Sequence, residues 1–269
     1  MTRERWGGVA KGWETHADAF RRNTMPVSSW MIDAIGPQPG HTVLDLAAGI
    51  GDVGFLAAEM VEPGGTLITS DFAPEMLSAA QRRAETLGIR NVRFRQIDAQ
   101  SMDVEAATLD GVLCRWGYML MEDPEAALRE TRRVLRPGGR LALAAWTGAE
   151  DNPWSAVPVE QLIALERIDP DPPPGPGQFE WAREGIIADH LDGAGFVEYE
   201  VHTLDFPIRY ASVRDWWDTT RVMGARASAA TGGDDRELLE ALAGAAAPWT
   251  AADGSLAIPA RTWVASAEG

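Results

Sequence analysis

The sequence predicts an α/β fold built on a doubly wound sheet, and three observations carry that expectation. Short runs with β propensity alternate with helical stretches between about residues 40 and 148. The second and third of these runs each end at an aspartate, Asp71 and Asp98. The first, Val43-Leu44-Asp45-Leu46, passes directly into a glycine turn, Ala47-Ala48-Gly49-Ile50-Gly51-Asp52, and then into an apolar helical pattern from Phe55 to Met60. Alternation of this kind marks parallel strands joined by right-handed crossovers.

Ahead of the sheet, Trp6, Val9, Trp13, Ala17 and Phe20 recur at three- and four-residue spacings. They predict a helix from residue 3 that breaks at Pro26, then a second short helix through Trp30, Met31 and Ile35. Gly40 leads into the first strand, at about 42–47. The second strand, Thr66 to Ser70, is followed by a helix with Pro74 in its first turn, where the missing N–H costs nothing, and Gly88 as its stop. The third strand runs from Val92 to Ile97 and the fourth from Gly111 to Arg115. A helix from Pro124 to Leu135 and a turn, Arg136-Pro137-Gly138-Gly139-Arg140, lead to a fifth strand, Leu141 to Trp146.

Beyond residue 148 the alternation weakens. Consecutive prolines between Asp169 and Gly177 exclude helix and central strand and predict an extended, flap-like loop. A helix near 182–193, a strand near 196–206 and a last strand at Arg261–Ala265 bring the sheet to seven strands. Residues 207–258 are too long for a hairpin connection and read as a mostly helical cap over a ligand crevice. The expected organisation is a helical extension at 1–39, a core at 40–148, and the remaining core strands at 149–269 with cap insertions at about 149–180 and 207–258.

Composition narrows the partners. A net charge of -16 and a pI near 4.6 disfavour nucleic acid, whose binding rests on Lys and Arg neutralising phosphates, and favour a small molecule. Cys114 is the single cysteine, so no intrachain disulfide is available and a reducing compartment fits. With no leader-like start and no run of about 18 apolar residues, the chain is expected to be cytoplasmic, without a membrane span, and a monomer or homodimer. Of 11 tryptophans, only Trp116 and Trp146 fall between residues 40 and 148. The concentration of the others in the added segments points to an apolar or aromatic pocket beside the glycine turn.

A glycine turn opening a helix presents unpaired N–H groups to a polar ligand and so marks a nucleotide site. Two readings of the turn compete. Gly49-x-Gly51-x-x-Gly54 satisfies the dinucleotide fingerprint, with Asp71 placed for a ribose, which would make the chain an NAD(P)-dependent oxidoreductase. Such an enzyme wants a Tyr-x-x-x-Lys pair or an equivalent acid and base, and this chain has three tyrosines and one lysine, Lys11. The other reading takes Asp45-x-Ala47-x-Gly49-x-Gly51 as an acidic glycine loop, in which Gly54 is a helix-packing residue.

That second loop is accompanied, in order, by Asp71-Phe72-Ala73-Pro74-Glu75-Met76-Leu77, Ile97-Asp98-Ala99 and Leu135-Arg136-Pro137-Gly138-Gly139-Arg140. On these motifs, over about residues 40–148, the chain resembles the class I S-adenosylmethionine-dependent methyltransferases of the ubiquinone/menaquinone-biosynthesis type (methyltransferase type 11/25). Ala47 departs from the glycine that many relatives carry. The resemblance implies a Rossmann-like sheet, mostly parallel with an antiparallel last strand, S-adenosyl-L-methionine as cofactor and S-adenosyl-L-homocysteine as product. It implies that Asp45 holds the methionine ammonium and that Ala47, Gly49 and Gly51 let the backbone wrap the amino-acid moiety. Asp71 would accept both ribose hydroxyls, Phe72 and Met76 would pack on the adenine, Asp98 would accept from the adenine amino group, and the Ala99 N–H would face a ring nitrogen. The segment Arg115-Trp116-Gly117 would lie beside the methionine moiety and the reacting methyl, with Arg115 paired with the cofactor carboxylate, with Asp45 or with a surface acid. Asp52 reads as a helix-start residue.

The reaction so implied is in-line displacement of a sulfonium methyl, for which the protein mainly aligns acceptor, methyl and sulfur. A base is required only where the acceptor must lose a proton. His16 is the first candidate because Trp13 and Phe20 flank it in sequence; His190, His202 and Tyr118 follow. After the fourth strand the chain reads Cys114-Arg115-Trp116-Gly117 in place of the Asn/Asp-Pro-Pro-aromatic tetrad of amino-group methylases, and without the metal-binding acid of catechol-type enzymes. The expectation is metal-independent transfer to oxygen or carbon of a small, apolar or aromatic acceptor. A non-catalytic S-adenosylmethionine-binding protein is the remaining alternative.

Overall fold

The computed structural model describes residues 3–172, 175–224, 226–230 and 234–269. Its centre is a seven-stranded sheet of β1 (Thr42–Asp45), β2 (Thr66–Asp71), β3 (Val92–Gln96), β4 (Leu109–Arg115), β5 (Leu135–Trp146), β6 (Tyr199–Tyr210) and β7 (Leu256–Glu268). The spatial order is β3-β2-β1-β4-β5-β7-β6; the first five strands are parallel and β7 runs antiparallel to both β5 and β6. This is the expected sheet, including the antiparallel last strand. Burial explains the composition of each strand. Inner β1, β2 and β4 are covered on both faces and nearly continuously buried, whereas edge strand β6 alternates and exposes Glu200, His202 and Asp205.

Nine helices flank the sheet among the described residues: α1 (Arg3–Thr15), α2 (Ala17–Ile35), α3 (Asp52–Met60), α4 (Pro74–Leu87), α5 (Pro124–Val134), α6 (Pro153–Ala164), α7 (Ile186–Gly193), α8 (Val213–Met223) and α9 (Asp235–Ala246). The expected break at Pro26 does not occur. Instead α2 runs through Pro26 to Ile35, and the helices part at His16. A proline costs a helix one hydrogen bond, but here Val27, Met31, Ile32 and Ile35 are buried against the sheet, and that packing outweighs the local loss. Gly36, with φ +53, then closes α2, its N–H bonded to the Ile32 carbonyl.

Two further boundaries differ from expectation for tertiary reasons. Arg136–Arg140, read as a turn, lies within β5: pairing with β4 jumps from Leu109↔Leu135 to Gly111↔Arg140, so the intervening residues form a bulge and not a reversal. Residues 207–210 and 256–258, expected in the cap insertion, belong to strands, because β6 and β7 pair without interruption from Tyr199↔Ala267 to Tyr210↔Leu256. The helix expected near 182–193 starts at Ile186. Part of the proline-rich segment expected to act as a flap, residues 173 and 174, lies outside the described residues.

Topology now locates a crevice. From β1 the chain moves outward to β2 and β3, then crosses back to β4 on the other side of β1. Carboxyl ends diverge at such a switch point, and ligands bind there. Helix α1 packs across it against α4 and α8, while α2 lies along β4 and β5 and reaches β6 and β7. Asn23 clamps α2 to the end of β6 by donating from Nδ2 to the Arg209 carbonyl at 3.1 Å and accepting from the Arg209 N–H at 3.0 Å.

Candidate active site

A cavity of about 490 Å³ opens at the switch point. Its floor is the loop after β1. Ala47, Gly49 and Gly51 all have positive φ, at +51°, +55° and +86°. This left-handed geometry suits glycine and strains alanine, which is why Ala47 is the departure worth noting. Close packing accounts for other residue choices. A Cβ on Gly117 would sit 2.8 Å from the Ala47 Cβ and 2.6 Å from Cys114 Sγ, and a Cβ on Gly54 would sit 2.5 Å from Asp45 Oδ2. In place of that clash the Gly54 N–H donates to Asp45 Oδ2 at 3.0 Å, so α3 begins on the Asp45 carboxylate.

Asp45 is fully buried and its Oδ1 has no partner among the described residues. Burial pushes its carboxyl up to about 7, against the pull of Arg115 and the Gly54 N–H. Asp71 is tied to the same loop: Oδ2 accepts from the Gly49 N–H at 3.0 Å and Oδ1 from the Ala73 N–H at 2.9 Å. Its carboxyl also lies above the usual range through burial, moderated by those N–H groups. A carboxylate offers about four acceptor directions, so two remain on Asp71, which lines the cavity.

The cavity lining brings together Ala47, Gly49, Asp71, Phe72, Met76, Asp98, Ala99 and Arg115 from the residues singled out in the sequence. Asp98 is exposed there, its Oδ1 accepting from the Gln100 N–H at 2.9 Å. Asp45 and Gly51 are not among the lining residues; Asp45 is buried beneath them, bonded to the Gly54 N–H.

Arg115 does not face a surface acid. It lies 3.6 Å from Asp52, donates to Thr24 Oγ1 at 2.9 Å and Ser28 Oγ at 2.6 Å, and is sandwiched between the rings of Phe20 and Trp116. Asp52 starts α3 as expected, but it is also a buried acid held by Arg83 at 2.8 Å. Burial draws Asp52 up and Arg115 down from their ordinary values, and each moderates the other. Arg115 thereby joins α2 to the glycine loop.

None of the four candidate bases lines the cavity. His16 sits at the α1–α2 junction with Nδ1 3.4 Å from Thr219 Oγ1, and Thr219 does line it. His190 stacks on Trp181 beside α5, His202 pairs with Glu200 on the exposed edge strand, and buried Tyr118 bonds Thr131.

The same cavity carries an aromatic wall, whose Trp6 and Trp13 pack with Ile50, Ala73 and Met76. Trp6, Trp13, Phe20, Trp116, Trp146 and Trp154 follow one another ring against ring, with Trp116 and Trp146 stacked at 4.2 Å and 11°. Trp116, at φ +60, is turned into this row and anchored by its Nε1 donating to Thr262 Oγ1 at 3.0 Å. Ile208, Tyr210, Asp215, Thr219 and Met223 from β6 and α8, with Ser155 and Gln178, complete the chamber. Of this wall, Trp116 is the residue expected beside the methionine moiety, and it does line the cavity; for Trp6, Trp146 and Trp154 the uneven tryptophan distribution is the signal in the sequence.

This arrangement has known counterparts. A methyltransferase-domain family model matches residues 37–164. Nocamycin O-methyltransferase of Saccharothrix syringae is 31% identical over 199 residues, 70% of this chain and 70% of its own length. The chain belongs to the class I S-adenosylmethionine-dependent methyltransferases. The ubiquinone/menaquinone biosynthesis C-methyltransferase UbiE of Cellvibrio japonicus is 39% identical over 111 residues, 41% of this methyltransferase and 45% of that relative. Among solved structures, YcgJ of Bacillus subtilis superposes with a TM-score of 0.58 at 23% identity, covering 90% of this chain and 97% of that one. A geranyl diphosphate methyltransferase in complex with its cofactor gives 0.54 at 18%, covering 96% and 91%. At these identities the two structures establish a shared fold.

S-adenosylmethionine is thus the cofactor of this methyltransferase, and the site fits it. The orphaned Asp45 Oδ1, the free acceptor directions of Asp71 and the open space beside Gly49, where a Cβ would meet nothing within 4 Å, match an ammonium, a ribose and a closely approaching ligand. No helix among the described residues is long and apolar enough to cross a membrane.

Proposed function

We propose that this methyltransferase acts on oxygen or carbon of a small, apolar or aromatic acceptor, without a metal. One observation carries the reading: the glycine loop and Asp71 line the same cavity as the aromatic side chains of Trp116, Trp146 and Trp154. The relatives with established names transfer to oxygen in one case and to carbon in another, which supports both chemistries. Among the described residues no group of three His, Cys, Asp or Glu side chains is arranged to hold a metal ion.

When bound, S-adenosylmethionine supplies an activated methyl on a sulfonium; the residues of this chain bind and orient. Asp45 and the backbone of Ala47, Gly49 and Gly51 hold the amino-acid end, with Arg115 beside it. Asp71 takes the ribose hydroxyls, Phe72 and Met76 flank the adenine, and Asp98 and the Ala99 N–H read its edge. The aromatic wall takes the acceptor and keeps water from the reacting atoms. His16 addresses this chamber only through Thr219, so proton removal is secondary to alignment in this reading.

The test joins binding to turnover. S-adenosylhomocysteine is expected to raise the melting temperature, NADH is not, and labelled methyl transfer to a panel of phenols, quinols and apolar acids is expected to survive EDTA. Stabilisation by NADH alone would overturn the reading of the cavity, and loss of transfer in EDTA would overturn the metal-free part of it.

A further inference from the structure

The three tyrosines differ in one respect. Tyr118 is hydrogen-bonded to Thr131 at 2.6 Å and Tyr199 donates to Asp192 Oδ1 at 2.8 Å. Tyr210, at the last rung of β6, is 8% exposed and lines the cavity, yet its hydroxyl has no hydrogen-bond partner among the described residues. Its ring is fixed on the apolar side, 6.3 Å from Trp216, whose Nε1 is itself tied to the Trp154 carbonyl at 2.8 Å. The ring is buried, and the hydroxyl is left open to the cavity, where a bound molecule can reach it.

A second lining residue also carries a donor without a partner among the described residues. Gln178 also lines the cavity; its Oε1 is taken by Ser155 Oγ at 2.8 Å, which leaves Nε2 buried and unpartnered. Both vacant functions are donors. An oxygen of the occupant can accept from the Tyr210 hydroxyl directly.

We infer that Tyr210 is the acceptor-recognition residue of this chamber: its hydroxyl donates to an oxygen of the bound molecule, and the acceptor is a ring or apolar frame bearing a carbonyl, enolate or phenolic oxygen. Burial, reinforced by the negative charge of nearby Asp215, holds the Tyr210 phenol well above its ordinary value, so it stays protonated and acts as a donor and not as a base. Gln178 Nε2 is the second donor on the same wall. The inference rests on the acceptor reading proposed above and specifies what the acceptor must carry.

The test uses the full chain loaded with S-adenosylhomocysteine and two probes on one bicyclic frame, 1-tetralone with a carbonyl and tetralin without. By titration calorimetry, Tyr210→Phe is expected to weaken 1-tetralone about 3- to 10-fold, the worth of one net hydrogen bond, while tetralin and S-adenosylhomocysteine bind as they do to the wild type. Equal shifts for both probes, no shift for either, or no binding of 1-tetralone to the wild type would overturn it. A lower melting temperature for Tyr210→Phe would do the same, because it would give the hydroxyl a structural partner. Failure of S-adenosylhomocysteine to bind the wild type would instead remove the underlying reading of the cavity, and this inference with it.

Discussion

Two parts of the cavity lining are built by opposite means. At the cofactor end, polar groups converge from strand ends and are held by main chain: Asp45 by the Gly54 N–H, Asp71 by the Gly49 and Ala73 N–H groups. Along the aromatic wall the surface is side chain, a row drawn from α1, α2, the residue after β4, β5 and α6, with Tyr210 from β6 and Asp215 from α8. Backbone-held groups keep their geometry when neighbours change; a wall of side chains changes with every substitution. A common cofactor on one end and a particular acceptor on the other follow from that difference.

The largest effect should come from the polar end. Asp71→Ala removes the ribose acceptor and releases two backbone N–H groups, and S-adenosylhomocysteine affinity is expected to fall about 100-fold by calorimetry, two charge-assisted bonds being involved. Unchanged affinity would place the ribose elsewhere. Gly54→Ala drives a Cβ into Asp45, and a loss of about 1–3 kcal/mol is expected from the urea midpoint. A silent substitution would show that α3 can retreat from the carboxylate, and the claim of a backbone-fixed end would weaken.

Asp45 sharpens the comparison through pH. Its folded-state value of about 7 lies above the ordinary carboxylate, so in the free protein the stability it contributes is present at acid pH and is lost as pH rises through about 7. An ammonium ligand prefers the ionised form. Affinity for S-adenosylhomocysteine is therefore expected to rise about tenfold between pH 6 and pH 8, with Asp45→Asn flattening the profile. An equally steep profile in Asp45→Asn would assign the titration to another group. The smallest effect belongs to Ala47→Gly, which relieves φ +51 and should stabilise by about 0.5–1 kcal/mol in thermal melts. A destabilised variant would mean that the Ala47 methyl packs more than it strains.

The same division decided what could be read from the sequence. Each cofactor-end group lies within a few residues of a strand end, so Asp45, Asp71 and Asp98 were visible as aspartates following apolar runs, and the parallel order of the sheet followed from local alternation. The acceptor end joins residues as distant as Trp13, Trp146 and Tyr210, a proximity that no local pattern records. Helix α2 shows the same limit: Pro26 is a valid breaker locally, and only burial against the sheet overrules it. Arg115 was legible as a site residue but its partner was not, since Asp52 reaches it across the glycine loop.

The β6–β7 hairpin carries one more consequence. Residues 211–255 leave the sheet at Tyr210 and return at Leu256, which face each other on a single rung. Strand partners of this kind stand about 5 Å apart, a gap that a tight turn can also close. Topologically the segment is a cassette with one point of attachment. Changes in this segment leave the strand order untouched, so the side chains it brings to the cavity, Asp215, Thr219 and Met223, can vary without re-threading the sheet.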